Sequence, residues 1–185
     1  MLLDKIDPSP IISDHLATLY DHGANRRSVL DIALFFGVPL IIAGIAVEFA
    51  GIRIRVAAVT AILTASALFI GLLPNLLVLV LSFLEKSKGD PSDTLLQNRK
   101  RLMREIAAHV SFAFVLSLTL ASIATAALMM LHRDDQPSGP VLTFSLIAGS
   151  VCLFLTLLML IRRMHVLIVS EFDLHKFGSK VKKTA

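Results

Sequence analysis

The sequence predicts an all-α fold: a polytopic membrane protein whose four-helix transmembrane bundle is made of two antiparallel hairpins, with both termini in the cytoplasm. Of its 185 residues, 55% are hydrophobic and 17% are charged, and the mean hydropathy is +0.76. The hydrophobic share and the mean hydropathy exceed those of a water-soluble domain of this size, and the charged share falls below that of such a domain. The apolar residues also form long uncharged runs, each close to the length of a bilayer-crossing helix. A soluble enzyme, a secreted module and a disordered tail are therefore disfavoured.

Four segments meet the length requirement for a span, namely 29–47, 56–84, 106–131 and 141–161. At 1.5 Å per residue, each can cross a hydrocarbon core of about 30 Å. The first is the shortest, and it must place Asp31 or Glu48 at an interface. The 28 residues before it lack the apolar region of a cleaved signal, so we expect this first span to be retained.

Basic residues indicate the orientation of the spans. The N-terminal segment 1–28, the linker 85–105 and the tail 162–185 hold all but three of the 18 Lys and Arg residues. The short connections 48–55 and 132–140 hold only Arg53, Arg55 and Arg133. Because Lys and Arg collect on the cytoplasmic side of a membrane, we expect both termini and the linker to lie in the cytoplasm.

The cytoplasmic segments are expected to be partly helical. Apolar residues recur at helical spacing from Leu95 to Ile106, with basic residues between them, so the third span should begin as an amphipathic helix. The fourth span should continue beyond Arg163 toward Gly178. A short surface helix is expected over residues 13–22. The two short connections predict that the first span packs beside the second, and the third beside the fourth.

Small side chains in three spans could support close helix packing. They form the rows Ala57, Ala61 and Ala65; Ser117, Ala121 and Thr125; and Ala33 with Gly37. Such rows join helices either within one chain or between chains. A homo-oligomer is one expectation, since four spans rarely enclose an aqueous path alone.

The second span contains the group Gly71, Pro74 and Asn75, with Asn75 near the middle of the bilayer. Pro74 frees the carbonyl of Ile70, and a buried amide in lipid needs a partner. One interpretation is a gate hinge or a polar ligand contact. The other is a helix kink with one interhelical hydrogen bond.

Ionisable residues near the spans are the next functional candidates, namely Asp31, Glu48 and His109. Each also has a local explanation: the helix dipole after Arg27 for Asp31, the outer interface for Glu48, and a helix entrance for His109. His15 and His22 lie seven residues apart and could form a weak metal site, or simply a solvated surface.

The sequence gives no support to an enzyme or to a cofactor. Cys152 is the single cysteine, and neither a GxSxG turn nor a phosphate-binding glycine loop occurs. The basic residues could instead hold anionic lipid or a cytoplasmic protein partner. Nucleic acid is disfavoured because no aromatic residues lie between the bases. The candidate docking residues are Arg99, Lys100, Arg101, Arg104, Lys180, Lys182 and Lys183.

Four spans, inner termini, short outer connections and basic inner ends resemble the small membrane subunits of bacterial antiphage systems, such as that of the Kiwa system. They also resemble the four-span accessory proteins beside RNA-targeting CRISPR nucleases. The resemblance covers the whole chain as topology, and the stretch FLTLLMLIRRMH at 154–165 is similar to bacterial membrane proteins of unassigned role. It implies a sensor or effector subunit with a cytoplasmic partner in antiviral defence. The alternatives are a self-sufficient pore-forming or depolarising protein and, third, a small proton-coupled transporter.

Overall fold

The computed structural model describes residues 8–18, 20–21, 26–27, 29–86, 94–134 and 138–181. Helix α1 (Ser9–Thr18) is followed by a two-residue antiparallel pairing of β1 (Tyr20–Asp21) with β2 (Arg26–Arg27). Helix α2 (Val29–Gly44) ends in a π-helical turn (Ile45–Phe49). Three long helices then complete the chain: α3 (Val56–Lys86), α4 (Thr94–Asp134) and α5 (Pro140–Val181). The predicted all-α class is confirmed.

In the part of the chain that the structure describes, three helices are long and apolar enough to cross a membrane. The qualifying stretches are Val56–Ser82, Lys100–Leu131 and Pro140–Ile168, with mean hydropathies of 2.3, 2.1 and 2.5. A shorter apolar helix covers Phe35–Phe49. Large apolar side chains such as Leu72, Val78 and Met129 lie on the outside of these helices, where lipid is the solvent that suits them.

Helices α4 and α5 extend well beyond the thickness of a bilayer. They contain 41 and 42 residues, which corresponds to about 60 Å each, or about twice the hydrocarbon core. The expected helical extensions of the third and fourth spans are therefore present. The N-terminal helix α1 begins and ends about four residues before the segment that the sequence predicted.

Helix α4 is the centre of the bundle and packs against α1, α3 and α5. Its buried residues alternate in steps of three and four along the whole helix, which is the spacing of a left-handed coiled-coil seam. The residues of this seam are Met103, Ile106, Val110, Ala113, Ser117, Leu120, Ala124, Ala127 and Leu131, and the buried His109 and Phe112 of α4 lie beside it. The facing helices contribute buried residues that are spaced seven residues apart. They are Val59, Ser66, Leu73 and Val80 from α3, and Leu146, Leu153 and Leu160 from α5.

Helices α4 and α5 lie close together at Gly149. A Cβ atom on Gly149 would lie 2.7 Å from Cδ2 of Leu120. Because Leu120 is fully buried in the seam, only a glycine fits opposite it.

The expected packing of the first span beside the second is wrong. Helix α2 packs along α5 and makes at most marginal contact with α3. The cause lies in the connection between them, where Gly51 (φ +60°) ends the helix and the amide of Ile52 donates to the carbonyl of Ala46 over 2.9 Å. The carbonyl of the buried Ile54 then accepts a hydrogen bond from the amide of Ser138 over 3.2 Å. The start of α3 is thereby anchored beside the start of α5 rather than along α2.

The predicted rows of small residues differ in whether they are buried in the helix bundle or exposed on its surface. Ser117 lies in the buried seam of α4, whereas Ala57, Ala61 and Ala65 are exposed on α3. Ala61 and Ala65 of the row on α3 instead line an open cavity with Leu120 of α4 and Leu153 of α5.

Candidate functional site

The end of the bundle at which α4 begins and α5 ends carries Lys100, Arg101, Arg104, Arg162 and Arg163, and we call it the basic end. Next to it lies a buried group of four rings, the histidine–phenylalanine cluster, formed by His15 of α1, Phe35 of α2, and His109 and Phe112 of α4. Both histidines are 0% exposed. Two imidazoles completely removed from solvent are unusual, since histidine is seldom fully buried.

His15 fixes α1 to the bundle. Its ring stacks on Phe112 with a centroid distance of 4.0 Å and an interplanar angle of 4°. It meets the ring of His109 edge-on at 4.7 Å and the ring of Phe35 at 5.2 Å. Helix α5 completes the surroundings with the buried Cys152, against which Leu155 and Met159 pack. Three separate helices thus contribute to the pocket that receives His15.

The tautomer of His109 follows from its hydrogen bond. Its Nδ1 lies 2.7 Å from the carbonyl oxygen of Glu105, one turn earlier on α4. Because a carbonyl oxygen only accepts, Nδ1 carries the proton and, in the neutral ring, Nε2 carries the lone pair. That Nε2 is buried and has no hydrogen-bond partner among the residues that the structure describes.

Glu105 also links α4 to α5 through its carboxylate. Oε2 accepts a hydrogen bond from Nη1 of Arg163, and Oε1 accepts one from Nε of Arg101 over 3.2 Å. The side chains of Glu105 and Arg163 are 24% and 21% exposed, whereas that of Arg101 is 49% exposed. The pair between helices is therefore the better shielded of the two.

The surroundings of His15 strongly favour its neutral form. Burial, with smaller contributions from the nearby His109 and Arg163, lowers the pKa of His15 from 6.5 to about 3. At neutral pH, the ring that holds α1 in place is therefore uncharged.

The polar group predicted in the second span lies on the outside of α3. Gly71, Pro74 and Asn75 are all exposed, and Nδ2 of Asn75 donates to the carbonyl of Gly71 over 3.2 Å. The expected interhelical hydrogen bond is therefore wrong. The amide is satisfied within its own helix, which is the local arrangement that Asn and Ser side chains adopt in spans.

The ionisable candidates have different outcomes. His109 is buried rather than interfacial, and His15 is not solvated, so both surface interpretations are wrong. Glu48 is exposed in the π-helical turn. Asp31 lies in the first turn of α2, with its side chain outside the described residues, as is all of His22. Within the described ranges, no three His, Cys, Asp or Glu residues are grouped to hold a metal ion.

The predicted docking residues are partly described. Arg101 and Arg104 are exposed at the basic end, and Lys100 is half-buried there. The side chains of Arg99 and Lys180 lie outside the described residues, as do Lys182 and Lys183 entirely. Arg162, which was not among the predicted docking residues, is also exposed at this end.

Sequence reasoning did not identify Phe35, Phe112 or Arg163 as part of the site. The spacing of Glu105, His109 and Phe112, four and then three residues apart, places all three on one face of α4. That shared face of α4 could have indicated the residues that α4 contributes. The contributions of α1, α2 and α5 depend on packing between helices that are distant in the sequence.

No family model, curated protein or solved structure matches the chain.

Proposed function

We propose that this chain is a non-enzymatic, four-span inner-membrane protein that acts as a membrane sensor or effector and engages a cytoplasmic partner through its basic end. The observation that carries the proposal is the histidine–phenylalanine cluster, where α1 is held on α4 near the end at which α4 and α5 exceed the bilayer. A protein that only anchors in lipid needs neither the extra length of α4 and α5 nor a docked terminal helix.

The fourth span in this proposal is α2 with its π-helical turn. Together they run without interruption from Val29 to Phe49, a length of about 30 Å that matches the hydrocarbon core. The excess of Lys and Arg on the N-terminal segment, the linker and the tail places the basic end in the cytoplasm.

The partner surface consists of the exposed guanidinium groups of Arg101, Arg104 and Arg162. An acidic protein surface or anionic lipid head groups complement such a cluster. The topological resemblance to antiphage membrane subunits supplies the biological setting, in which the membrane subunit signals to, or acts with, a cytoplasmic protein.

A second candidate function is a pore formed by several copies. It is favoured by exposed hydroxyls on the outer faces of two spans, namely Thr60 and Thr64 on α3 and Thr119, Ser122 and Thr125 on α4. Each of the five donates to the carbonyl four residues earlier. Such hydroxyls are tolerated in lipid and can also line a polar path between chains.

Induced expression with a membrane-potential dye and a phage challenge separates these functions. The partnered subunit leaves the potential intact when expressed alone and protects cells only with its neighbouring genes, whereas the pore depolarises cells by itself. Replacement of Arg104 and Arg162 by Gln should abolish protection without reducing membrane insertion. The matched control replaces Arg53 and Arg55, which are equally exposed at the opposite end, and should keep protection. An equal loss of phage protection in the Arg104/Arg162 variant and in the Arg53/Arg55 variant would contradict partner docking at the basic end.

A further inference from the structure

We propose that the cavity between α3 and α5 binds a lipid-soluble quinone, whose ring carbonyl accepts a hydrogen bond from the hydroxyl of Ser66 in the middle of the membrane. This inference goes beyond the proposed function, because it assigns a small-molecule site that lies away from the basic end. It depends on the packing of the spans and requires no partner.

The cavity results from the way in which two helices pack on a third. Helices α3 and α5 both pack on α4, whereas they make at most marginal contact with each other. The space between them has a volume of about 350 Å³, and Leu120 of α4 lines it. Ala61 and Ala65 line it from α3, and Phe154 lines it from α5. The short side chains of the two alanines leave room for a flat ring, and the volume lies in the range of small-molecule sites.

The wall of the cavity contains a hydroxyl that lacks a partner. Ser66 lines the cavity and is 1% exposed. Other hydroxyls of α3, those of Thr60, Thr64 and Ser82, donate to the carbonyl four residues earlier. Ser66 does not, and it has no hydrogen-bond partner among the residues that the structure describes. Because an unsatisfied polar group is costly inside a bilayer, this hydroxyl favours a ligand that offers an acceptor.

The depth of the site narrows the class of ligand. Ser66 lies ten residues after Val56, the first residue of α3, which corresponds to about 15 Å, or half of the hydrocarbon core. Leu120 and Ser150 also lie near the middle of the spans 106–131 and 141–161. The ester carbonyls of phospholipids lie at the interface, too far from this depth to reach Ser66. A quinone differs from them because its carbonyls belong to an otherwise apolar molecule that dissolves inside the bilayer.

The other groups of the cavity suit a flat, neutral ring with an apolar tail. Phe69 and Phe154 offer aromatic surfaces on α3 and α5. The second hydroxyl in the wall, that of Ser150, donates to the carbonyl of Leu146 over 2.7 Å, which leaves Ser66 as the donor to the ligand. None of the described residues that line the cavity is charged, so the site favours an uncharged ligand.

The site can be tested by fluorescence on the purified full chain in phosphatidylcholine nanodiscs. The chain contains no tryptophan. Leu158→Trp, at an exposed position one turn after Phe154, therefore introduces a single reporter next to the cavity. The ligand is decylubiquinone, because quinones quench tryptophan fluorescence. We expect the quenching at position 158 to saturate as the quinone is added.

A second reporter measures the quenching by quinone that is merely dissolved in the lipid. Leu118→Trp places it at a similar depth, exposed on α4 and outside the cavity. Its quenching should rise linearly without saturation. Equal, linear quenching of both reporters would overturn the proposed site.

Three substitutions in the Leu158→Trp protein test the assigned contacts. Ser66→Ala removes the donor, and the half-saturating quinone concentration should rise about three- to tenfold, the equivalent of one hydrogen bond. Ala65→Phe fills the cavity and should abolish the saturable quenching. Its matched control is Ala67→Phe, also exposed on α3 but outside the cavity, which should keep the saturation unchanged.

Decylbenzene, which has the same tail but no carbonyl, distinguishes a quinone site from a cleft that accepts any acyl chain. We expect it to displace the quinone only at a concentration about tenfold higher or more. Displacement at equal concentration, or unchanged saturation in Ser66→Ala, would overturn the quinone site. If Ser66→Ala does not fold, the competition with decylbenzene and the two phenylalanine variants decide.

The remaining competitor for the cavity is a helix of a second copy of the chain. A disulfide between two chains at Ala61→Cys, formed in membranes in a Cys152→Ala background and prevented by Ala65→Phe, would assign the cavity to that copy and overturn the proposal. We expect no such disulfide. Because no cell phenotype enters these measurements, the quinone site and the proposed function can fail separately.

Discussion

At the scale of single residues, Glu105 has the most connections in the described site. Its carboxylate binds one arginine on its own helix and one on α5, and its carbonyl fixes the tautomer of His109. A partly buried pair between helices contributes more to stability than an exposed pair within a helix, because water screens it less. The two arginines therefore make unequal contributions.

This inequality is measurable in detergent micelles. Glu105→Gln removes the carboxylate that Arg163 binds between the helices, and we expect a loss of about 2 kcal/mol in the free energy of unfolding. Arg101→Met removes only an exposed i, i+4 pair and should cost at most about 0.5 kcal/mol. Thermal unfolding of both variants provides the comparison, and equal destabilisation would contradict the assigned role of the Glu105–Arg163 pair.

At the scale of elements, the seam of α4 explains how the bundle is held together. Alternating steps of three and four between buried residues allow α3 and α5 to pack on neighbouring sides of one helix. In lipid, such packing must come from close steric fit rather than from a hydrophobic driving force. At Gly149 that fit leaves no room for a Cβ atom.

Substitutions at two glycines test the seam. Gly149→Ala forces a Cβ against the buried Leu120 and should destabilise the protein by about 1–3 kcal/mol. Gly71→Ala is the matched control, because its Cβ meets nothing within 4 Å, and it should be neutral or stabilise by about 0.5–1 kcal/mol.

The double variant Gly149→Ala with Leu120→Ala should lose less free energy of unfolding than the sum of the losses in the two single variants. The shorter side chain at position 120 leaves room for the Cβ at position 149. Thermal unfolding in micelles measures all four proteins. Strict additivity would show that the contact between Leu120 and residue 149 does not limit the packing.

The elements were largely predictable from the sequence, because composition and run length determine where apolar helices lie. The extensions of α4 and α5 were readable from amphipathic spacing. The pairing of α2 with α5 was not, because a short connection brings helix ends together but does not align the helices. The hydrogen bond between Ser138 and Ile54 that redirects α3 depends on residues distant in the chain.

The site was predictable only in part. His109 was a candidate from its place in a span, and Glu105 lies on the same face of α4. The burial of His15 required knowing that α1 packs on α4, which no local pattern specifies. The interhelical hydrogen bond predicted for Asn75 depends on a buried side chain. Because Asn75 lies on an exposed face of α3, its amide donates within its own helix instead.

At the scale of the whole molecule, the account depends on lipid as the solvent and on a fixed orientation. The described helices expose large apolar side chains over most of their length, and the cations lie mainly at one end. The partner surface lies at that basic end. The proposed function therefore requires that the basic end faces the cytoplasm.

Labelling of single cysteines with a membrane-impermeant maleimide in spheroplasts tests this requirement most directly. In a Cys152→Ala background, Arg53→Cys reports the outer connection and Arg162→Cys reports the basic end, both at exposed positions. We predict that Arg53→Cys is labelled in intact spheroplasts and Arg162→Cys only after permeabilisation. Labelling of Arg162→Cys in intact spheroplasts, with Arg53→Cys protected, would contradict the account.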